Sequence, residues 1–181
     1  IQVCNDAGAG SAEVNLFADI TRKILDQAKL KVNFLPTNRL NASRYLKIDA
    51  SSGRAEDHEF YQLSRSGGAG AFGRHPNSTR TSGPVNVWFV DEIESSSGVT
   101  QFGLAWVDAN GVLISQDAID FNNGKGRTDT LAHEIGHNLG LRHTTLGAGS
   151  RNNLLTDGSV RNVPDRTDRK LPKGVGPCTL T

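Results

Sequence analysis

The apolar positions of this chain fall into short runs with two different periods. "IQVCND" at the start alternates apolar and polar residues, the period of a strand. From Ser11 onward, Val14, Phe17, Ile20, Ile24 and Ala28 recur at threes and fours. That spacing predicts a helix to about Leu30 with this face buried, Ser11 at its N-cap and Glu13 in its first turn. "KVNFLP" then reads as a second strand, stopped by Pro36. Strand, helix and strand in succession predict a right-handed parallel crossover. Residues 64–84 are dense in Gly, Ser and Pro and read as a long exposed loop. "VNVWFVDEI", residues 85–93, is nearly continuous in apolar residues, as a strand covered on both faces would be. "FGLAWVD" and "VLIS" flank "ANG", which predicts an antiparallel hairpin. Beyond residue 144 no long periodic segment stands out. The alternation of strands and helices predicts an α/β fold.

One further segment, residues 129–140, has helical period. At about 100° per residue His133 and His137 share one face, while Leu131, Ile135 and Leu139 share the opposite one. Glu134 stands beside the imidazole face. Three of the five histidines lie between positions 133 and 143. Two imidazoles at i and i+4 can grip one zinc ion, with the glutamate in reach of a water. A third ligand at helical spacing would point elsewhere. Gly140 resolves this, because glycine accepts the left-handed conformation that ends a helix and turns the chain. Leu141 and Arg142 then bring His143 back. Three protein ligands and an open fourth position describe a catalytic zinc, whereas structural sites are usually closed. His58 and His75 read as surface histidines.

Composition narrows the setting. A chain of 181 residues suits one domain. We divide it into a subdomain over 1–140, with the sheet and the histidine helix, and a smaller one over 141–181. The net charge of +1, from 20 basic and 19 acidic residues, gives no case for a nucleic-acid or membrane partner. The chain begins at Ile1 and contains no methionine. The expectation is a mature, secreted, monomeric protein cut from a longer precursor; a chain trimmed for expression is the alternative. Cys4 and Cys178 are expected to pair as a disulfide in an oxidising compartment. Two unrelated thiols, or Cys4 on the metal as a latency switch, are the other readings. Asp108, Asn110, Asp117, Asp157 and Asp165 are candidates for a calcium ion, against ordinary solvated turns.

"HEIGHNLGLRH" resembles the long zinc signature of the metzincin metallopeptidases. The resemblance implies a twisted, mostly parallel sheet with one antiparallel edge strand above the cleft, a backing helix and an active-site helix. Residues 102–107 would supply the edge strand. It also implies zinc on His133, His137 and His143, with Glu134 as general base toward a zinc-bound water in peptide hydrolysis. A protein or peptide substrate would lie extended along the edge strand, near Gly103, Leu104, Ala105 and Trp106, with core packing an equal reading for Trp106. Residues 144–163 would wall the pocket beyond the cut. "GKGRTDTLAHEIGH" is also similar to the approach to this helix in pappalysin-like members.

The chain departs from the family in two ways. "NNLLTDG", residues 152–158, looks like the tight turn beneath the zinc, with Leu155 where the family's methionine would stand. Some metzincins place a tyrosine after this turn. Here the two tyrosines, Tyr45 and Tyr61, lie far upstream, which argues against a close match to the pappalysin-like members. Two rivals to a zinc endopeptidase remain: a zinc-binding protein that has lost catalysis, and a zinc hydrolase of a non-peptide amide.

Overall fold

A computed structural model describes residues 2–4, 15–36, 38–40, 43–64, 84–99, 101–143, 151, 153–158 and 161–162, with backbone alone at 2–4 and 38–40. Its strands are β1 (Gln2–Cys4), β2 (Asn38–Leu40), β3 (Lys47–Asp49), β4 (Val87–Val90), β5 (Glu92–Glu94), β6 (Gly103–Ala105) and β7 (Val112–Ser115). Its helices are α1 (Ala18–Asp26), α2 (Glu59–Ser64), α3 (Gln116–Gly124) and α4 (Thr130–Asn138). Five strands form one sheet in the order β2-β1-β4-β7-β6, and β3 pairs with β5 in a second. Every pair is parallel except β6 with β7. The mixed, mostly parallel sheet with an antiparallel edge strand is therefore present.

β4 and β7 form the middle of that sheet, with Val87 opposite Val112 and Phe89 opposite Ile114. Alternate side chains serve two cores. Val87, Phe89, Val112 and Ile114 join Phe17, Leu25, Leu131 and Ile135 on the face covered by α1 and α4. Trp88, Val90 and Leu113 join Ile48, Phe60, Leu63 and Ile93 on the other. Covering both faces is what a continuous apolar run requires. Full burial of side chains such as Phe89 and Leu113 contributes about 1.5–3 kcal/mol each.

Several expectations change. "KVNFLP" is not a strand: residues 30–36 are unpaired coil, and the strand comes after Pro36. Val32 and Phe34 still pack against the core, so their apolar spacing reflects burial without pairing. Phe17, Ile20 and Ile24 are buried as the helical spacing predicts, but Ala28 is exposed. The helix has ended there: Lys29 takes a left-handed φ of 59°, and the Leu30 amide turns back to the Leu25 carbonyl. Ser11, Glu13 and Val14 lie outside the described residues. The run 85–93 is two strands. The amides of Asp91 and Glu92 both donate to the Leu46 carbonyl, which moves the chain from the large sheet into the small one.

The hairpin is wider than "ANG" alone. Asp108, at φ 57°, turns it, and its amide donates to the His137 carbonyl at 2.9 Å. Asn138 completes the tie: its side-chain amide donates to the carbonyls of Trp106 and Gly111 and accepts from the Gly111 amide. The edge strand is thereby fastened to the C-terminal end of α4.

Candidate metal centre

α4 buries Leu131, Ala132 and Ile135 beneath the sheet and against α1. Leu139 does not share that face; it caps the helix and stands half exposed. Gly140 takes φ 90°, and the amides of Gly140 and Leu141 return to the carbonyls of His137 and Gly136. This is the left-handed helix end that the sequence requires, and it returns the chain to the imidazole face.

His133, His137 and His143 each offer a ring nitrogen, all within 4.8 Å of one another. The Nε2 atom of His143 lies 3.2 Å from Nε2 of both His133 and His137. In a tetrahedral zinc shell with bonds of about 2.0–2.1 Å, neighbouring nitrogens stand about 3.3 Å apart, so the three rings fit such an ion. Backbone carbonyls aim two of them. Nδ1 of His137 lies 2.8 Å from the Leu141 carbonyl oxygen, and Nδ1 of His133 lies 2.5 Å from that of Leu154. Each ring that donates there keeps the Nε2 lone pair for a metal. Burial pushes the His133 pKa down to about 2, with the Arg161 charge adding to it. Burial lowers that of His137 as well. Both rings are thus held neutral, the form that ligates.

Glu134 is almost wholly buried, and burial pushes its carboxyl up to about 8. It lies against the edge strand. A Cβ added to Gly103 would stand 2.7 Å from Glu134 Oε1, so only glycine lets β6 cross here without displacing the carboxylate. An open cleft of about 1300 Å³ runs over Glu134 and the three histidines, with Gly103, Leu104 and Ala105 on one wall and Asp157, Gly158 and Arg161 on the other.

Residues 58–144 match the sequence profile of the reprolysin-like metallopeptidases, family M12B. Among solved structures the chain is similar to archaemetzincin from Archaeoglobus fulgidus, crystallised with malonate, at 16% identity and a TM-score of 0.49, covering 94% of this chain and 100% of that one. No curated protein matches the sequence.

The other expected site positions fall elsewhere. Trp106 does not line the cleft. Its ring stacks on Phe60 at 4.8 Å and donates to Ser64 Oγ, so it is core packing. Leu155 is fully buried beneath α4. Tyr45 lies against Arg44, and Tyr61 lies edge-on to Trp106, away from the cleft. His58 meets the Ser52 carbonyl. Among the described residues the histidine trio is the one group of three or more His, Cys, Asp or Glu side chains close enough to share an ion. Asp108, Asp117 and Asp157 form no such group, and Asn110 holds the Asn86 amide and the Pro84 carbonyl. His75, Asp165, Cys178 and the Cys4 side chain lie outside the described residues, as does most of 144–163.

The sequence reading missed a buried ionic group behind the histidine cluster. Asp129 occupies the N-cap position of α4, but its carboxylate does not cap the helix. It meets Arg161 Nε at 2.6 Å and Arg127 Nε at 3.5 Å. Asp129 was findable as a carboxylate four residues before the first histidine. Nothing local marks Arg161.

Proposed function

We propose that the chain is a zinc metalloendopeptidase. The observation that carries this reading is the convergence of three imidazole Nε2 atoms beside a buried glutamate, in an open cleft under a sheet edge. His133, His137 and His143 would hold the ion. Zinc held there supplies Lewis acidity, making water more acidic and the scissile carbonyl more electrophilic.

The chain's own groups do the rest. The Leu154 and Leu141 carbonyls fix the imidazole orientations. Glu134 would take a proton from the attacking water and return it to the leaving amine. Among the described residues β6 lies at the end of the sheet order, paired on one side alone. An extended substrate can add along its other side by main-chain hydrogen bonds, with Gly103, Leu104 and Ala105 beside it. Gly103 lets that strand lie close to Glu134. Secretion, a monomeric state and a Cys4–Cys178 disulfide are part of the same proposal.

The test is cleavage of casein by the purified chain, with and without a chelator. Cleavage within the polypeptide that stops on chelation and returns with zinc supports the reading. Cleavage indifferent to chelation, or none from zinc-loaded protein, refutes it.

A further inference from the structure

Arg161 reaches the metal centre from a segment that supplies none of the three histidines. It is buried, and its guanidinium donates to two partners. Nε stands 2.6 Å from Asp129 Oδ2, and one terminal amino group donates to the Thr156 carbonyl at 2.7 Å. That amino group also lies 2.7 Å from Nδ1 of His133. Arg127 closes the group from below, donating to the Arg161 carbonyl at 3.2 Å.

These contacts join two pieces of chain far apart in sequence. Asp129 sits at the head of α4, four residues before His133. Arg161 is tied to the strap over 153–158, in which the Leu155 amide is held by Asn153 Oδ1 and the Asp157 carbonyl accepts from the Arg161 amide. The strap carries the Leu154 carbonyl that meets His133, and Leu155, which packs under Gly136.

We infer that Arg161, anchored on Asp129, is a positioning residue for the metal centre: it holds the 153–158 strap against α4 and so fixes the His133 ring through the Leu154 carbonyl. The inference rests on the reading that the three histidines bind zinc. A buried ion pair is a poor way to gain stability alone, since well-packed apolar groups of similar volume do as well. What an apolar pair cannot do is fix direction. The planar fork of arginine grips a carboxylate and a backbone carbonyl at set angles. A lysine in its place keeps the charge but loses that fork.

The experiment is equilibrium zinc binding to the full chain, by competition with a chromophoric chelator. Wild type is compared with Arg161→Lys, Arg161→Gln, Asp129→Asn and the Asp129→Asn/Arg161→Gln pair. Circular dichroism reports folding, and the visible spectrum of the cobalt form reports ligand geometry. Partners that orient metal-ligating histidines typically contribute 10–100-fold in metal affinity. We expect a loss of that size in each folded single variant, with a changed cobalt spectrum, and no further loss in the double variant. Arg161→Lys carries the comparison where Arg161→Gln fails to fold. Zinc affinity within twofold of wild type in a folded Arg161 variant overturns the inference while leaving the histidine site intact. A wild type that binds no zinc overturns the histidine reading and this inference with it.

Discussion

Leu155 lies directly beneath Gly136: its Cδ2 stands 3.1 Å from the point where a Cβ on Gly136 would be. A buried leucine is thus fitted to a glycine of the helix that carries His133 and His137. Methionine is close in volume and apolar, so Leu155→Met should cost less than about 1.5 kcal/mol and keep zinc. Leu155→Ala opens a cavity at a fully buried position and should cost about 2–5 kcal/mol. Denaturant midpoints read both. If the alanine variant is as stable as wild type, this packing account is wrong.

Glu134→Ala should abolish peptide cleavage and leave one zinc per chain. The glutamate touches none of the three ring nitrogens in our account, so its removal takes away the base and not a ligand. Metal analysis beside a casein assay separates the two roles. Loss of the metal together with activity would mean that Glu134 is misassigned.

Gly103→Ala tests the crossing of β6 over the carboxylate. The new methyl would stand 2.7 Å from Glu134 Oε1, so the carboxylate or the strand must move. Turnover should fall at least tenfold, the scale on which small misplacements of a reacting group act, while zinc affinity stays unchanged. Turnover equal to wild type would show that the strand yields freely.

Removing the metal should leave a distinctive pH dependence of stability. His133 titrates at about 2 in the folded chain and near 6.5 when unfolded, and His137 is lowered in the same sense. As pH falls below about 6.5 the unfolded chain takes up protons that the folded chain refuses, so these groups destabilise it. Glu134 works the other way. Its folded pKa of about 8 lies above the unfolded value, so its contribution is full below about 4.5 and is lost as pH rises through 8. The chelated chain should therefore be most stable, as far as these groups decide, near pH 6.5, since below it two histidines lose more than the one glutamate gains. Zinc should remove the alkaline decline, because a cation near the carboxylate favours its charged form. Denaturant titrations across pH, with and without zinc, check this; a decline on the alkaline side that zinc leaves unchanged would contradict it.

How much of this was readable in the sequence follows from how local each signal is. The spacing of His133, His137, Gly140 and His143 is a helix and its end, set within eleven residues, and the structure brings the three rings together. The two apolar runs that flank "ANG" likewise mark β6 and β7. "KVNFLP" misled because partial burial of Val32 and Phe34 produces a strand's alternation without a strand's partner. Trp106 could not be placed, because whether it faces the cleft or Phe60 depends on α2, more than forty residues earlier. Asp129 and Arg161 stand 32 residues apart. Neither has a neighbour in sequence that predicts a buried ion pair.

The central claim is that three imidazoles hold one zinc with the fourth position open. X-ray absorption at the zinc edge of the zinc-loaded chain tests it most directly. The account predicts a four-coordinate shell of three imidazole nitrogens and one light oxygen donor, all at about 2.0–2.1 Å. A sulfur scatterer at about 2.3 Å would contradict it and point instead to a cysteine closing the site.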